Sequence, residues 1–114
     1  MVTIFHNPRC SKSRQTLQLL KDRGIEPEIV LYLESPPDKT TLMDLLKKLD
    51  MDPRALLRKG EAAYKENNLR DTGLSDDEII ECMLAHPKLI ERPIVVNGSR
   101  AALGRPPEAV LDIL

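Results

Sequence analysis

The stretch Val2-Thr3-Ile4-Phe5-His6-Asn7-Pro8-Arg9-Cys10-Ser11-Lys12-Ser13-Arg14 decides how the chain folds. Its first four residues are an apolar run ended by Asn7-Pro8, which reads as a buried strand. From Ser11 to Arg23 no proline or glycine intervenes. Ser13, Leu17 and Leu20 recur at helical spacing, and Gly24 supplies a stop. Ile29-Val30-Leu31-Tyr32-Leu33 then reads as a second strand. Strand, helix and strand within about 30 residues form a βαβ unit, so the two strands should run parallel.

The middle of the chain is helical by the same criteria. Leu42, Leu45, Leu46 and Leu49 repeat at i, i+3, i+4 and i+7. Asp52-Pro53 offers an N-cap and an N1 proline for a short helix through Leu56 and Leu57. Ser75-Asp76-Asp77-Glu78 is a capping box ahead of Ile79, Ile80, Met83 and Leu84, and His86-Pro87 ends that helix. Pro93-Ile94-Val95-Val96 is strand-like, Asn97-Gly98 signals a hairpin, and Arg100 to Leu103 returns. A last helix should start around Pro106-Pro107 with Val110, Leu111 and Leu114 on its apolar side. The order β-α-β, helical segment, β-β-α predicts an α/β layer fold of thioredoxin type. One domain over residues 1–114 is expected, with a helical insertion at about 38–87.

Composition narrows the function classes. Hydrophobic residues are 41% and charged residues 31% of the 114, a globular balance. Lys and Arg number 17 against 18 Asp and Glu, so the net charge is −1. No basic field exists to neutralise phosphates, and the three aromatics Phe5, Tyr32 and Tyr64 give no platform for stacking bases. Nucleic acid is therefore excluded as the expected partner. No run approaches the roughly 20 apolar residues of a membrane span. The first residues lack the basic and apolar regions of a secretion signal. Two free thiols without an export signal predict a cytoplasmic protein with no membrane association.

Cys10 is the candidate nucleophile. It falls between the end of a strand and the start of a helix, where α/β folds bind ligands. Free backbone N–H groups and the positive helix end favour a thiolate there, and Arg9, Lys12 and Arg14 add positive charge, with His6 close upstream. An inert buried cysteine is not usually ringed by three cations and a proline. Other thiol chemistries fail on spacing. Cys10-Ser11-Lys12-Ser13 lacks the second thiol of a C-x-x-C pair, so a resolving thiol must come from elsewhere. A C-x5-R phosphatase loop would need arginine where Thr16 stands. His6, Cys10, Cys82 and His86 could be counted as a zinc set, but zinc sites more often pair like ligands at each end, so no metal is expected. Arg58, Arg92 and Arg105 form a second group. Arg92 and Arg105 each precede a proline at the start of an element, and guanidinium forks suit a tetrahedral oxyanion.

Taken in order, His6-Asn7-Pro8-x-Cys10-x-x-Ser13-Arg14, Tyr32-Leu33-Glu34-x-Pro36-Pro37, Arg54-Ala55-Leu56-Leu57-Arg58-Lys59, His86-Pro87, Arg92-Pro93-Ile94-Val95-Val96 and Arg105-Pro106 resemble the glutaredoxin-dependent arsenate reductases. The likeness is closest to the short chromosomal arsenate-reductase-like proteins. It implies a thioredoxin-like fold with a helical insertion, an oxidoreductase of arsenic detoxification, and Cys10 as the catalytic cysteine attacking arsenate. It further implies Arg58, Arg92 and Arg105 as substrate-binding arginines and His6 and Ser13 as supports of the thiolate. Glutathione would be the co-substrate and glutaredoxin the partner, with no bound organic cofactor. The alternative expectation is a glutathione-linked thiol-redox or protein-docking module without arsenate turnover.

Overall fold

A computed structural model describes residues 2–114. Its strands and α-helices are β1 (Val2–Phe5), α1 (Ser11–Asp22), β2 (Glu28–Val30), α2 (Lys39–Leu49), α3 (Ala62–Glu66), α4 (Asp76–Ala85), β3 (Ile94–Asn97) and β4 (Arg100–Leu103). Three 3-10 helices, Pro53–Leu56, Pro87–Leu89 and Pro107–Ile113, fall between or after them. The four strands form one sheet in the order β2-β1-β3-β4. β1 and β2 are parallel, and β3 is antiparallel to both β1 and β4. This is a thioredoxin-like fold, as the order of elements predicts.

The chain divides into two compact units, Met1–Ser35 with Arg92–Leu114, and Pro36–Glu91. The first holds the sheet. Its core gathers Ile4, Leu20, Val95, Val110 and Ile113, so strand, helix and C-terminal segment bury one apolar cluster. Each such side chain contributes about 1.5–3 kcal/mol on burial. α1 stops by a Schellman motif. Gly24 takes φ +74°, its N–H bonds Lys21 O, and the Ile25 N–H bonds Leu20 O. In the second unit α2 and α4 are in contact, with Leu42, Leu45 and Leu46 buried on α2 and Ile79, Ile80 and Met83 buried on α4. The expected capping box is present, with Ser75 Oγ accepting from the Glu78 N–H and Glu78 accepting from the Ser75 N–H.

Three local expectations are corrected. Pairing of the second strand ends at Val30, opposite Phe5, and Leu31–Leu33 lie in a turn closed by bonds from the Glu34 and Ser35 N–H groups to Leu31 O. The apolar run continues because Tyr32 is fully buried within the turn and Leu31 and Leu33 beside it are half-buried. The hairpin loop is Gly98-Ser99 rather than Asn97-Gly98. Asn97 pairs with Arg100, and Gly98 supplies the positive φ of +64° at the first loop position, where a II′ turn needs it. The last helix is 3-10 and buries Val110 and Ile113, while Leu114 is exposed. Three residues per turn place i and i+3 on one face, which an α-helical reading misassigns.

Candidate active site

Cys10 is the N-cap of α1, with extended backbone (φ −92°, ψ 124°). The turn delivering it from β1 is set by Asn7-Pro8. The Cys10 N–H bonds Asn7 O at 3.0 Å, with Pro8 at the position where a type I turn prefers proline. Asn7 also accepts the Arg9 N–H through Oδ1, and Arg14 donates to Pro8 O at 2.9 Å. Cys10 is half-buried and not in a disulfide.

Burial pushes the Cys10 thiol up, but this is outweighed. The backbone N–H of Ser13, the Arg92 guanidinium and the backbone N–H of Lys12 all favour the anion, and the net effect lowers the pKa. Arg105 stands against the same sulfur, Nη2 to Sγ at 3.8 Å, and its Nε donates to Arg92 O at 2.8 Å. Two arginines distant in sequence from Cys10 therefore meet at its sulfur. Each precedes a cis peptide bond, Arg92-Pro93 and Arg105-Pro106.

The pKa predicts a measurement. Thiolate absorbance, with Cys10→Ser as blank, should rise with a midpoint below the free-cysteine value of about 8.5. A midpoint at or above that value would show that the loop does not activate the sulfur. Because the folded pKa is the lower one, the linked stability is fully present above the unfolded value. It is lost as pH falls through the folded one.

His6 and Ser13 are buried together behind this loop. His6 Nδ1 lies 2.6 Å from Ser13 Oγ, and Ser13 Oγ accepts the Asn7 N–H at 3.0 Å. Burial lowers the His6 pKa, and the charges of Lys21 and Arg14 lower it further, all favouring the neutral ring. His6 and Ser13 thus brace the loop rather than bring positive charge to the sulfur. Asn7 and Gly104 belong to the site's framework and were not singled out by sequence. The Asn-Pro turn signal pointed at the first, and nothing short of the folded contact points at the second. A Cβ on Gly104 would come within 2.6 Å of Pro93 Cγ and closer still to Thr16 Oγ1.

Arg58 lies in the Pro36–Glu91 unit. Its Nη1 pairs with Glu91 Oε1 at 2.6 Å and its Nε with Glu61 Oε1 at 3.4 Å. Cys82 is partly buried on α4, in the same unit. Among the described residues no group of three or more His, Cys, Asp or Glu side chains could hold a metal ion, and no helix is long and apolar enough to cross a membrane.

Comparison with known proteins adds ancestry to this geometry. Residues 5–113 match the model of the ArsC family. The chain is 59% identical over 114 residues to an uncharacterised Escherichia coli K12 protein, YfgD, covering 99% of this chain and 96% of that one. It is 48% identical over 114 residues to an arsenate reductase of Haemophilus influenzae, covering 99% and 98%. The solved structure of an arsenate reductase from Vibrio cholerae superposes with a TM-score of 0.97 at 53% identity, covering 99% of this chain and 97% of that one.

Proposed function

The chain belongs to the ArsC family, and from that premise we propose that it reduces arsenate to arsenite through the thiolate of Cys10. The observation that carries the reading is the meeting of Arg92 and Arg105 at a sulfur capping a helix N-terminus. The same donors that favour the thiolate can hold a tetrahedral oxyanion beside it and stabilise the charge that develops on attack. Arg58 is a third oxyanion ligand in this proposal, on the family motif.

The thiolate attacks arsenic, and one arsenate oxygen leaves as water after protonation. Glutathione then attacks the sulfur of the adduct as its thiolate. An S–S bond forms, the S–As bond breaks, and its electron pair stays on arsenic, which departs as arsenite. Glutaredoxin takes up the glutathionyl sulfur and returns Cys10 to its thiolate. An external thiol is needed because Ser13 stands where a resolving cysteine would.

The test is arsenate-dependent NADPH consumption with glutathione, glutathione reductase and glutaredoxin. Turnover is expected with that set and none with thioredoxin and thioredoxin reductase alone. Formation of a Cys10–glutathione disulfide with no arsenate-dependent consumption would favour a thiol-redox module instead. Robust turnover with thioredoxin alone, lost in Cys82→Ser, would give Cys82 the resolving role.

Arg92→Lys and Arg105→Lys should each lower kcat/KM for arsenate by about tenfold or more, despite the retained charge. Arg105 holds Arg92 O with one nitrogen and faces the sulfur with another. A lysine has one nitrogen and cannot do both. Near-wild-type kinetics in both variants would make these arginines surface charges.

A further inference from the structure

The mechanism leaves unused a pocket at the carboxyl ends of the parallel pair β1 and β2. It is lined on one side by residues 6–9 and on the other by Leu31, Leu33 and Glu34. Its volume is about 280 Å³, close to the lower end of small-molecule sites. The crevice beyond the carboxyl ends of adjacent parallel strands is where open α/β sheets take ligands. Arg9, in its lining, immediately precedes Cys10 in the chain.

The lining has a readable chemistry. Pro8, Leu31 and Leu33 give an apolar wall. Arg9 and Glu34 bring one charge of each sign, and among the described residues neither side-chain charge has a protein partner. His6 is also part of the lining, and with its Nδ1 engaged by Ser13 Oγ, Nε2 is the ring nitrogen left for a ligand. Opposite charges flanking an apolar wall fit a small zwitterion with an aliphatic middle. The neighbouring cysteine has no resolving thiol in its own loop.

We propose that this pocket binds the resolving thiol, a small zwitterionic thiol, with Glu34 facing its ammonium and Arg9 facing its carboxylate. The proposal rests on the reading of Cys10 as the nucleophile and names how its second substrate is selected.

Thiol–disulfide exchange tests it without arsenate. Cys10 thiolate attacks glutathione disulfide, forms the Cys10–glutathione disulfide and releases one glutathione thiolate. The rate is read by mass spectrometry against concentration. The control is hydroxyethyl disulfide, which undergoes the same exchange but carries no charge. Glu34→Gln and Arg9→Gln should each slow exchange with glutathione disulfide by roughly fivefold, the scale of one exposed ion pair at its upper end. Glu34→Gln should leave exchange with hydroxyethyl disulfide within about twofold, while Arg9→Gln is scored by the ratio of its rates with the two disulfides, which cancels any change in the thiolate itself. Equal effects on both disulfides, or none on either, would overturn the assignment. Selective exchange in a protein that fails the arsenate assay would sink the reductase reading and leave this one standing. Arsenate turnover with no selectivity between the disulfides would do the reverse.

Discussion

Cys10→Ser removes arsenate reduction, with a fall in turnover of more than about a thousandfold. The donors around the sulfur act on an anion, and an alcohol at the same site is not ionised near pH 7. Backbone N–H groups of Ser13 and Lys12 and the Arg92 guanidinium would then face a neutral hydroxyl. The substitution is nearly isosteric at a half-buried position, so circular dichroism and Tm should stay close to wild type. Cys82→Ser is the matched control. Cys82 sits on α4 beside residues that anchor that helix, and most activity should survive its loss. The measurement is the coupled NADPH assay on both variants side by side. Turnover in Cys10→Ser within about tenfold of wild type would end the proposed mechanism outright.

Gly104→Ala should be the most destabilising single-methyl change in the sheet-bearing unit, by about 3 kcal/mol, at the upper end of what overpacking costs. The added carbon would press on Thr16 Oγ1 and the Pro93 ring. Neither can yield cheaply. Thr16 is fully buried with its hydroxyl bonded to Lys12 O, and proline has no free rotor. The Gly104 N–H also bonds Pro93 O at 2.9 Å, which ties the two backbones together. A Tm decrease of roughly 10 °C is expected for a domain of this size. The thiol should respond as well. Arg92 and Arg105 flank Pro93 and Gly104 in sequence, so displacing that pair moves both guanidinium groups from Cys10. The absorbance midpoint of the variant should therefore drift upward toward the free-cysteine value. An unchanged Tm would mean that the close approach of these segments is softer than its geometry implies.

Much of the fold could be read from local sequence. β1, α1 with its Gly24 stop, the Ser75 capping box and the parallel pairing of the first two strands all rest on signals contained within a few residues. The errors share a cause. Leu31-Tyr32-Leu33 are apolar because Tyr32 is buried in a turn with Leu31 and Leu33 half-buried beside it, and periodicity reports burial rather than conformation. Ile113 replaces Leu114 in the core because a 3-10 helix has a different period. α3 carries neither a strong stripe nor a side-chain cap, and the sequence offered no mark for it. In the site, Cys10 was legible from its loop. The meeting of Arg92 and Arg105 at its sulfur was not, because it depends on β3 lying beside β1, a pairing that no local spacing encodes. The contact between His6 Nδ1 and Ser13 Oγ makes this histidine, expected as a support of the thiolate, a brace of the loop that carries it.

The sheet-bearing unit is drawn from two stretches of chain, and its thiol and its arginines come from opposite ones. Arg105 and Cys10 are 95 residues apart. On a ribosome adding about 5–20 residues per second, the cysteine waits roughly 5–20 seconds before the last of its cationic neighbours is synthesised. During that interval β1 has only β2 to pair with, and a two-stranded ribbon is marginal in water. The nascent thiol then lacks Arg92 and Arg105, and its acidity is closer to that of any other cysteine. The share of the activation that Arg92 and Arg105 supply arrives only after residues 92–105 have been made.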